Sequence, residues 1–331
     1  MDKFVIGIDL GTTTIDGVLS NLNAEIIAEV KRPTKIKAGF ETVIAQVCDI
    51  IQELQKHPHV QGKKIFGTGM AVAGLINRLR NIVEFSPDFH WRDVDIVTEM
   101  RKNCDLPVVI DNVTRVMALG ELFYGIGRKF QNFICVNVGY GIGAGIVING
   151  KPLYGSRGMA GEFGHFTLEK NSAIQCECGN FGCLEALASG HAIALAAQKQ
   201  LQNGRESRLL DLCDSNISNI TAEMVADVAK KGEAFSLNIF NTAAEYLGIG
   251  IAGLINLFSP QAVVIGGGVA QAGDILFDTV RKTVAKRALN IISREVVIEP
   301  ATFGLRAAAM GAVSMILDRV LNFNPIKEDS D

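Results

Sequence analysis

Residues 3–21, KFVIGIDLGTTTIDGVLSN, read as a strand, the turn Leu10-Gly11-Thr12-Thr13-Thr14, and a second strand. The same reading fits residues 133–155, FICVNVGYGIGAGIVINGKPLYG. A strand–turn–strand unit used twice predicts two domains with related cores and is no short-period solenoid. Around the first copy, AEIIAEVKRPT reads as a third strand. FETVIAQVCDIIQELQK, residues 40–56, puts Val43, Ile44, Val47, Ile50, Ile51 and Leu54 on one helical face. KKIFGTGMAVAGLIN and DLPVVIDN read as strands that end in loops, so the expected core is a mixed sheet flanked by helices. Further on, FSLNIFNTAAEYLGIGIAGLINLF reads as a long helix broken at Ser259-Pro260, and AVVIGGGVA as a buried strand entering a glycine turn. LRAAAMGAVSMILDRVL is a last helix, and the tail NFNPIKEDSD is expected to fray.

The chain has 331 residues, 48% hydrophobic and 20% charged, with a formal net charge of -3, which suits two ordinary globular domains. No run approaches the ~18 apolar residues of a membrane span. MDKFVIGIDLG has neither the basic start nor the apolar core of a signal peptide, so a cytoplasmic location and no membrane partner are expected. The 32 Lys and Arg are dispersed and balanced by 35 Asp and Glu, which gives no sign of non-specific attraction to nucleic acid. Of seven cysteines, Cys48, Cys104, Cys135 and Cys213 are scattered and read as small buried residues. The other three crowd together.

That crowding is in GEFGHFTLEKNSAIQCECGNFGCLEALASG, residues 161–190. His165 precedes Cys176 by eleven positions, and Cys176, Cys178 and Cys183 follow as C-x-C-x4-C. One imidazole and three thiolates make a closed tetrahedral set, the pattern of a structural zinc site. Glu162 and Glu185 flank this clamped loop and make it a platform for hydroxyl groups. Three glycine turns follow buried strands: Gly11 after Asp9, Gly139-Tyr140-Gly141-Ile142-Gly143, and Gly266-Gly267-Gly268. Successive backbone N–H groups and the hydroxyls of Thr12 and Thr13 can cradle phosphate oxygens, and Asp9 could hold a hydrated magnesium ion. In VEFSPDFHWRDV the acceptor Asp88 lies near Trp91, an arrangement that either holds a sugar ring or packs.

Taken in order, IGIDLGTTT, SPDFHW, NVGYGIGAGIVINGKPLYG, GEFGH, CECGNFGCLEALASG, VVIGGG and LRAAAMGAV resemble the ROK family of repressors, open reading frames and kinases of sugars, over nearly the whole chain. The resemblance implies an α/β, actin-like two-domain sugar-kinase fold around a cleft, with a structural zinc loop and assembly as a homodimer or tetramer. It implies a smaller domain, residues 1–114 plus about 307–325, and a larger one, residues 115–306. It places Asp9, Gly11, Thr12 and Thr13 in a first phosphate loop, Gly141 and Gly143 in a second, and Gly267 near adenosine. Asp88 stands where the family has Asn on the sugar, and Asn112, Glu162, His165 and Glu185 match its sugar contacts.

Two departures fall on phosphoryl transfer. Family kinases carry Asn-Asp where this chain has Asn112-Val113, and that Asp is the general base; Asp111 is the nearest substitute. General-base help is typically worth about 10²–10⁴-fold in rate. The usual Gly-Thr-Gly of the second phosphate loop reads Gly139-Tyr140-Gly141. The pattern resembles the repressor branch without its N-terminal winged-helix segment. The expectation is a monosaccharide sensor with a degenerate kinase site, not an enzyme. The alternative is an ATP-dependent sugar kinase using ATP and Mg²⁺.

Overall fold

In a computed structural model that describes residues 3–78, 80–214 and 216–322, the chain divides into two units, each built on one five-stranded sheet. The first unit comprises Met1–Arg128, Tyr154–Met159 and Arg306–Asp331. Its β1 (Lys3–Leu10) and β2 (Thr14–Asn21) flank the first glycine turn, followed by β3 (Ile26–Pro33) and α1 (Phe40–Gln55). Next come β4 (Lys64–Val72), then β5 (Leu75–Asn77), β6 (Ile82–Ser86) and β7 (Trp91–Val94), then α2 (Ile96–Met100), β8 (Val108–Asn112) and α3 (Val113–Tyr124). The main sheet has the order β3-β2-β1-β4-β8; β5, β6 and β7 form a separate antiparallel sheet. The apolar face expected of α1 is buried, from Val43 and Ile44 to Leu54. Trp91 begins β7 and is buried, so of the two roles open to it the packing one holds.

The second unit, Lys129–Leu153 and Ala160–Leu305, repeats the plan. It runs β9 (Phe133–Val138), β10 (Ile142–Ile148), β11 (Lys151–Pro152), α4 (Leu184–Ala188), α5 (Gly190–Gln202), α6 (Leu209–Leu212), α7 (Ala222–Lys230) and α8 (Ala234–Phe258). Then follow β12 (Ala262–Gly266), α9 (Asp274–Arg287), α10 (Asn290–Ser293) and β13 (Val297–Pro300). Its sheet order is β11-β10-β9-β12-β13. In both sheets the first strands pair antiparallel and the last ones parallel, which is the mixed sheet flanked by helices that the repeated pattern implied. Helix α8 stops where Ser259 turns left-handed (φ 44°) ahead of Pro260.

The last helix, α11 (Ala307–Asn322), returns to the first unit; residues 323–331, most of the tail expected to fray, lie outside the described residues. The division between units differs from the expected 114/115 and falls at 128/129. The reason is helix packing: a Cβ on Gly120 of α3 would stand 3.0 Å from Gly311 Cα of α11, an approach two glycines allow, so α3 stays with the first unit. The segment Tyr154–Met159 also belongs to the first unit, although it lies between two stretches of the second.

Candidate functional site

In the first unit, β8 ends in Asp111-Asn112 and α3 begins at Val113. Asn112 caps the helix: its side-chain oxygen accepts the Thr114 N–H at 2.9 Å. Its Nδ2 donates to Gly74 O at 2.9 Å, which fixes the amide from both ends. Gly74 has φ 129°, and a Cβ there would stand 2.8 Å from Ser86 Cβ, so this glycine seats the start of the Asp88 loop beside the Asn112 cap. The sequence reading missed Gly74, because its role depends on two strands that meet only in the fold.

Val113 is half-buried and carries only methyl groups. Asp111 is wholly buried. Its Oδ1 accepts Arg115 Nε at 2.9 Å, Arg115 Nη2 at 2.7 Å and the Asn112 N–H at 2.7 Å. Arg78 Nε lies 3.1 Å from Oδ2, close enough for an ion pair though not aligned as a hydrogen bond. The oxygens of Asp111 thus face Arg115, Arg78 and the Asn112 N–H. Asp88 is half-buried in the turn between β6 and β7. Trp91 packs edge-on to Phe40, with centroids 5.1 Å apart, and stacks on Phe89 at 4.4 Å, so its ring belongs to the core.

The first glycine turn is tied down at its base. Gly11 N–H donates to Thr14 O at 3.0 Å, and the Thr34 hydroxyl donates to Gly11 O at 2.7 Å. Thr12 is half-exposed and Thr13 exposed. Asp9 sits directly across the β1–β2 ladder from Asp16, which Lys31 Nζ meets at 3.2 Å. Crowding out of water, then the Asp16 charge, pushes the Asp9 carboxyl up to about 7, with Lys31 opposing. Asp9 is partly exposed, so solvent screening tempers this effect. A carboxyl raised in the folded state opposes folding once ionised. That penalty is absent below about pH 4, grows as pH rises and is complete above about 7. Asp9→Asn is therefore expected to raise the melting temperature by a few degrees at pH 8 and by less at pH 5. Equal melting shifts at the two pH values would contradict the assignment.

In the second unit, His165, Cys176, Cys178 and Cys183 bring one ligand atom each within 4.8 Å of one another. Cys178 and Cys183 sulfurs are 3.8 Å apart, and Cys176 Sγ is 3.7 Å from His165 Nδ1. Thiolates at about 2.3 Å from one tetrahedral ion would stand about 3.8 Å from each other, so the set fits such an ion. Burial pushes the Cys176 and Cys183 thiols up, and ligation is what converts such thiols to thiolates. The scattered Cys48, Cys104, Cys135 and Cys213 are buried, as expected.

Glu185, in the first turn of α4, reaches the edge of this cluster: Oε1 is 3.7 Å from Cys176 Sγ, and Oε2 accepts the Ile142 N–H at 2.8 Å. Glu162 is half-buried and opens the short turn Phe163–His165. Gly141 lies against Glu185, where an added Cβ would meet Oε2 at 2.4 Å, and Gly143 pairs with Asn137 of β9. Gly267 follows β12 with φ 92°. Tyr140 is the unexpected part. Its ring stacks on His191 with centroids 4.7 Å apart, and its hydroxyl donates to Glu177 Oε1 at 2.9 Å. The first N–H groups of α5 are consumed nearby: Gly190 N–H donates to Gly139 O, His191 N–H to Tyr140 O and Ala192 N–H to Ser189 Oγ. A helix start whose donors are already bonded has few left for a phosphate.

A model described as "ROK family" matches residues 5–319. The chain is 33% identical to a xylose repressor of Caldicellulosiruptor bescii over 96% of this chain and 79% of the relative. It is 32% identical to a glucokinase of Halalkalibacterium halodurans over 94% of each. A ROK family glucokinase from Streptomyces griseus, solved in complex with glucose and AMPPNP, superposes with a TM-score of 0.85 at 28% identity, covering 94% of this chain and 98% of that one.

Proposed function

The chain belongs to the ROK family, with its two-domain, sugar-kinase-like α/β fold, and from that premise we propose that it binds a monosaccharide and reports it rather than phosphorylating it. The sugar contacts in this reading are Asp88, Asn112, Glu162, His165 and Glu185. The observation that carries it is the β8–α3 junction. Val113 offers no proton acceptor, and Asp111, two residues before it, is buried against Arg115 and Arg78. Tyr140, held over His191 by Glu177, adds a bulky ring where the family has a small hydroxyl.

In this reading His165, Cys176, Cys178 and Cys183 hold a structural zinc ion that keeps the Glu162–Glu185 platform rigid. The protein works in the cytoplasm as a homo-oligomer and needs neither ATP nor Mg²⁺. Calorimetry with glucose, xylose and a panel of further hexoses, pentoses and amino sugars, with and without ATP, tests the reading. Sugar binding at millimolar concentration or tighter without ADP release is expected; no binding by any sugar overturns it. Cys183→Ser is expected to lose the metal and weaken sugar binding by about 10–100-fold, by analogy with lost metal-site support. Metal content read beside calorimetry checks this, and a metal-free variant that binds sugar normally would separate the ion from the platform.

A second reading, an ATP-dependent sugar kinase, is favoured by the glucokinase that this chain matches over 94% of both lengths. Here Asp9, Gly11, Thr12, Thr13, Gly141, Gly143 and Gly267 would bind nucleotide and magnesium. Positioning and electrostatics supply most of phosphoryl-transfer catalysis, so this reading requires slow but real turnover.

A further inference from the structure

The chain enters the first unit briefly at Tyr154–Met159, and three residues after that segment it reaches Glu162. Among the described residues, Tyr154 and Arg157 tie this strap to the rest of the first unit. The guanidinium carbon of Arg78 lies 3.9 Å from the centre of the Tyr154 ring, the geometry of a cation–π stack. Arg157 Nη2 meets Glu84 Oε2 at 3.3 Å, and Glu84 Oε1 in turn accepts Asn77 Nδ2 at 2.8 Å. The Arg157 contact is on the surface and is worth little.

Arg78 is different because its second partner is buried. It stands in the turn after β5 with its Nε 3.1 Å from Asp111 Oδ2, and Asp111 also accepts the Asn112 N–H. One guanidinium therefore touches the strap on its face and the Asn112 turn on its edge. Arg115 holds Asp111 Oδ1 against α3, which leaves Oδ2 to Arg78. Only arginine offers a planar, always-charged group that can stack on a ring and pair with a carboxylate at once.

We propose that Arg78 is a positioning residue for the sugar: through Tyr154 and Asp111 it locks the strap and the Asn112 cap into one arrangement. This rests on the sugar-binding reading for its function, but not for its physics. The lock sets two segments of the first unit together, the strap at Tyr154–Met159 and the turn that carries the Asn112 amide. Loss of Arg78 frees both without touching either.

Two measurements on the full-length protein test it. In the ligand-free protein, hydrogen exchange of Arg78→Ala is expected to accelerate across residues 154–159 and also at the Asn112 and Thr114 amides. Tyr154→Leu, which removes the ring face, should repeat the strap effect. Calorimetry with glucose and with xylose, at a temperature where each variant is folded, should show the dissociation constant of Arg78→Ala rising about tenfold, with Arg78→Lys intermediate. Exchange that changes in neither segment overturns the proposal whether or not a sugar is bound. So does normal sugar affinity in Arg78→Ala. If the unaltered chain binds neither sugar, the binding reading fails separately and exchange still decides the lock.

Discussion

Val113→Asp is expected to raise phosphoryl transfer from ATP to glucose by about 10²–10⁴-fold over the unaltered chain, the range general-base help supplies. The position can accept the change. Val113 is the first residue of α3, half-buried, and no acidic residue occupies the first turn of that helix. A carboxylate there is favoured by the helix N-terminus by about 0.3–1 kcal/mol. The neighbouring Asp111 is already paired by Arg115 and Arg78, so the new acid adds charge beside a neutralised centre. Tyr140 is the second obstacle, and Val113→Asp combined with Tyr140→Thr should turn over faster than Val113→Asp alone. A coupled assay of ADP release at high enzyme concentration reads both variants. If neither exceeds the unaltered chain, the missing base does not explain silence, and the sensor reading loses its main support. Robust turnover in the unaltered chain would hand the site to the kinase reading outright.

Asp111→Ala is expected to cost about 3–5 kcal/mol, because it leaves Arg115, 2% exposed, as a buried charge without its carboxylate. On a domain of this size that lowers the melting temperature by roughly ten degrees or prevents folding. The double change Asp111→Leu/Arg115→Met removes both charges and should recover much of the loss, since replacing a buried ion pair with apolar groups is often near neutral. Thermal melts of the single and double variants measure the coupling. A mild Asp111→Ala variant that instead loses a residual kinase activity would mean that Asp111 is the substitute base. The structural partners argue the other way, because both oxygens face guanidinium groups.

Much of the architecture was legible because it is written locally. Alternating apolar residues around glycine turns, repeated at residues 3–21 and 133–155, correspond to two sheets of the same strand order. The Cys-x-Cys loop was legible for a similar reason: His165 and the three cysteines meet through short turns inside one segment. The boundary at 114/115 was misplaced because α3 reads as the start of whatever follows β8, while its packing partner, Gly311, is far along the chain. Trp91 could not be assigned from its neighbours, since a buried strand residue and a ring-stacking loop residue have the same local pattern.

By itself the sequence determined the repeated mixed-sheet plan and the spacing that brings His165 and the three cysteines together. Each of these is a property of residue type over a short span, set by backbone period and side-chain chemistry. Only the tertiary structure decided what Asp111 does, which glycine seats the Asn112 amide, and that Tyr154 rests on Arg78. Those facts depend on which strands become neighbours and where distant loops cross, and the free energy of a charge or an amide is set by the partners it finds there.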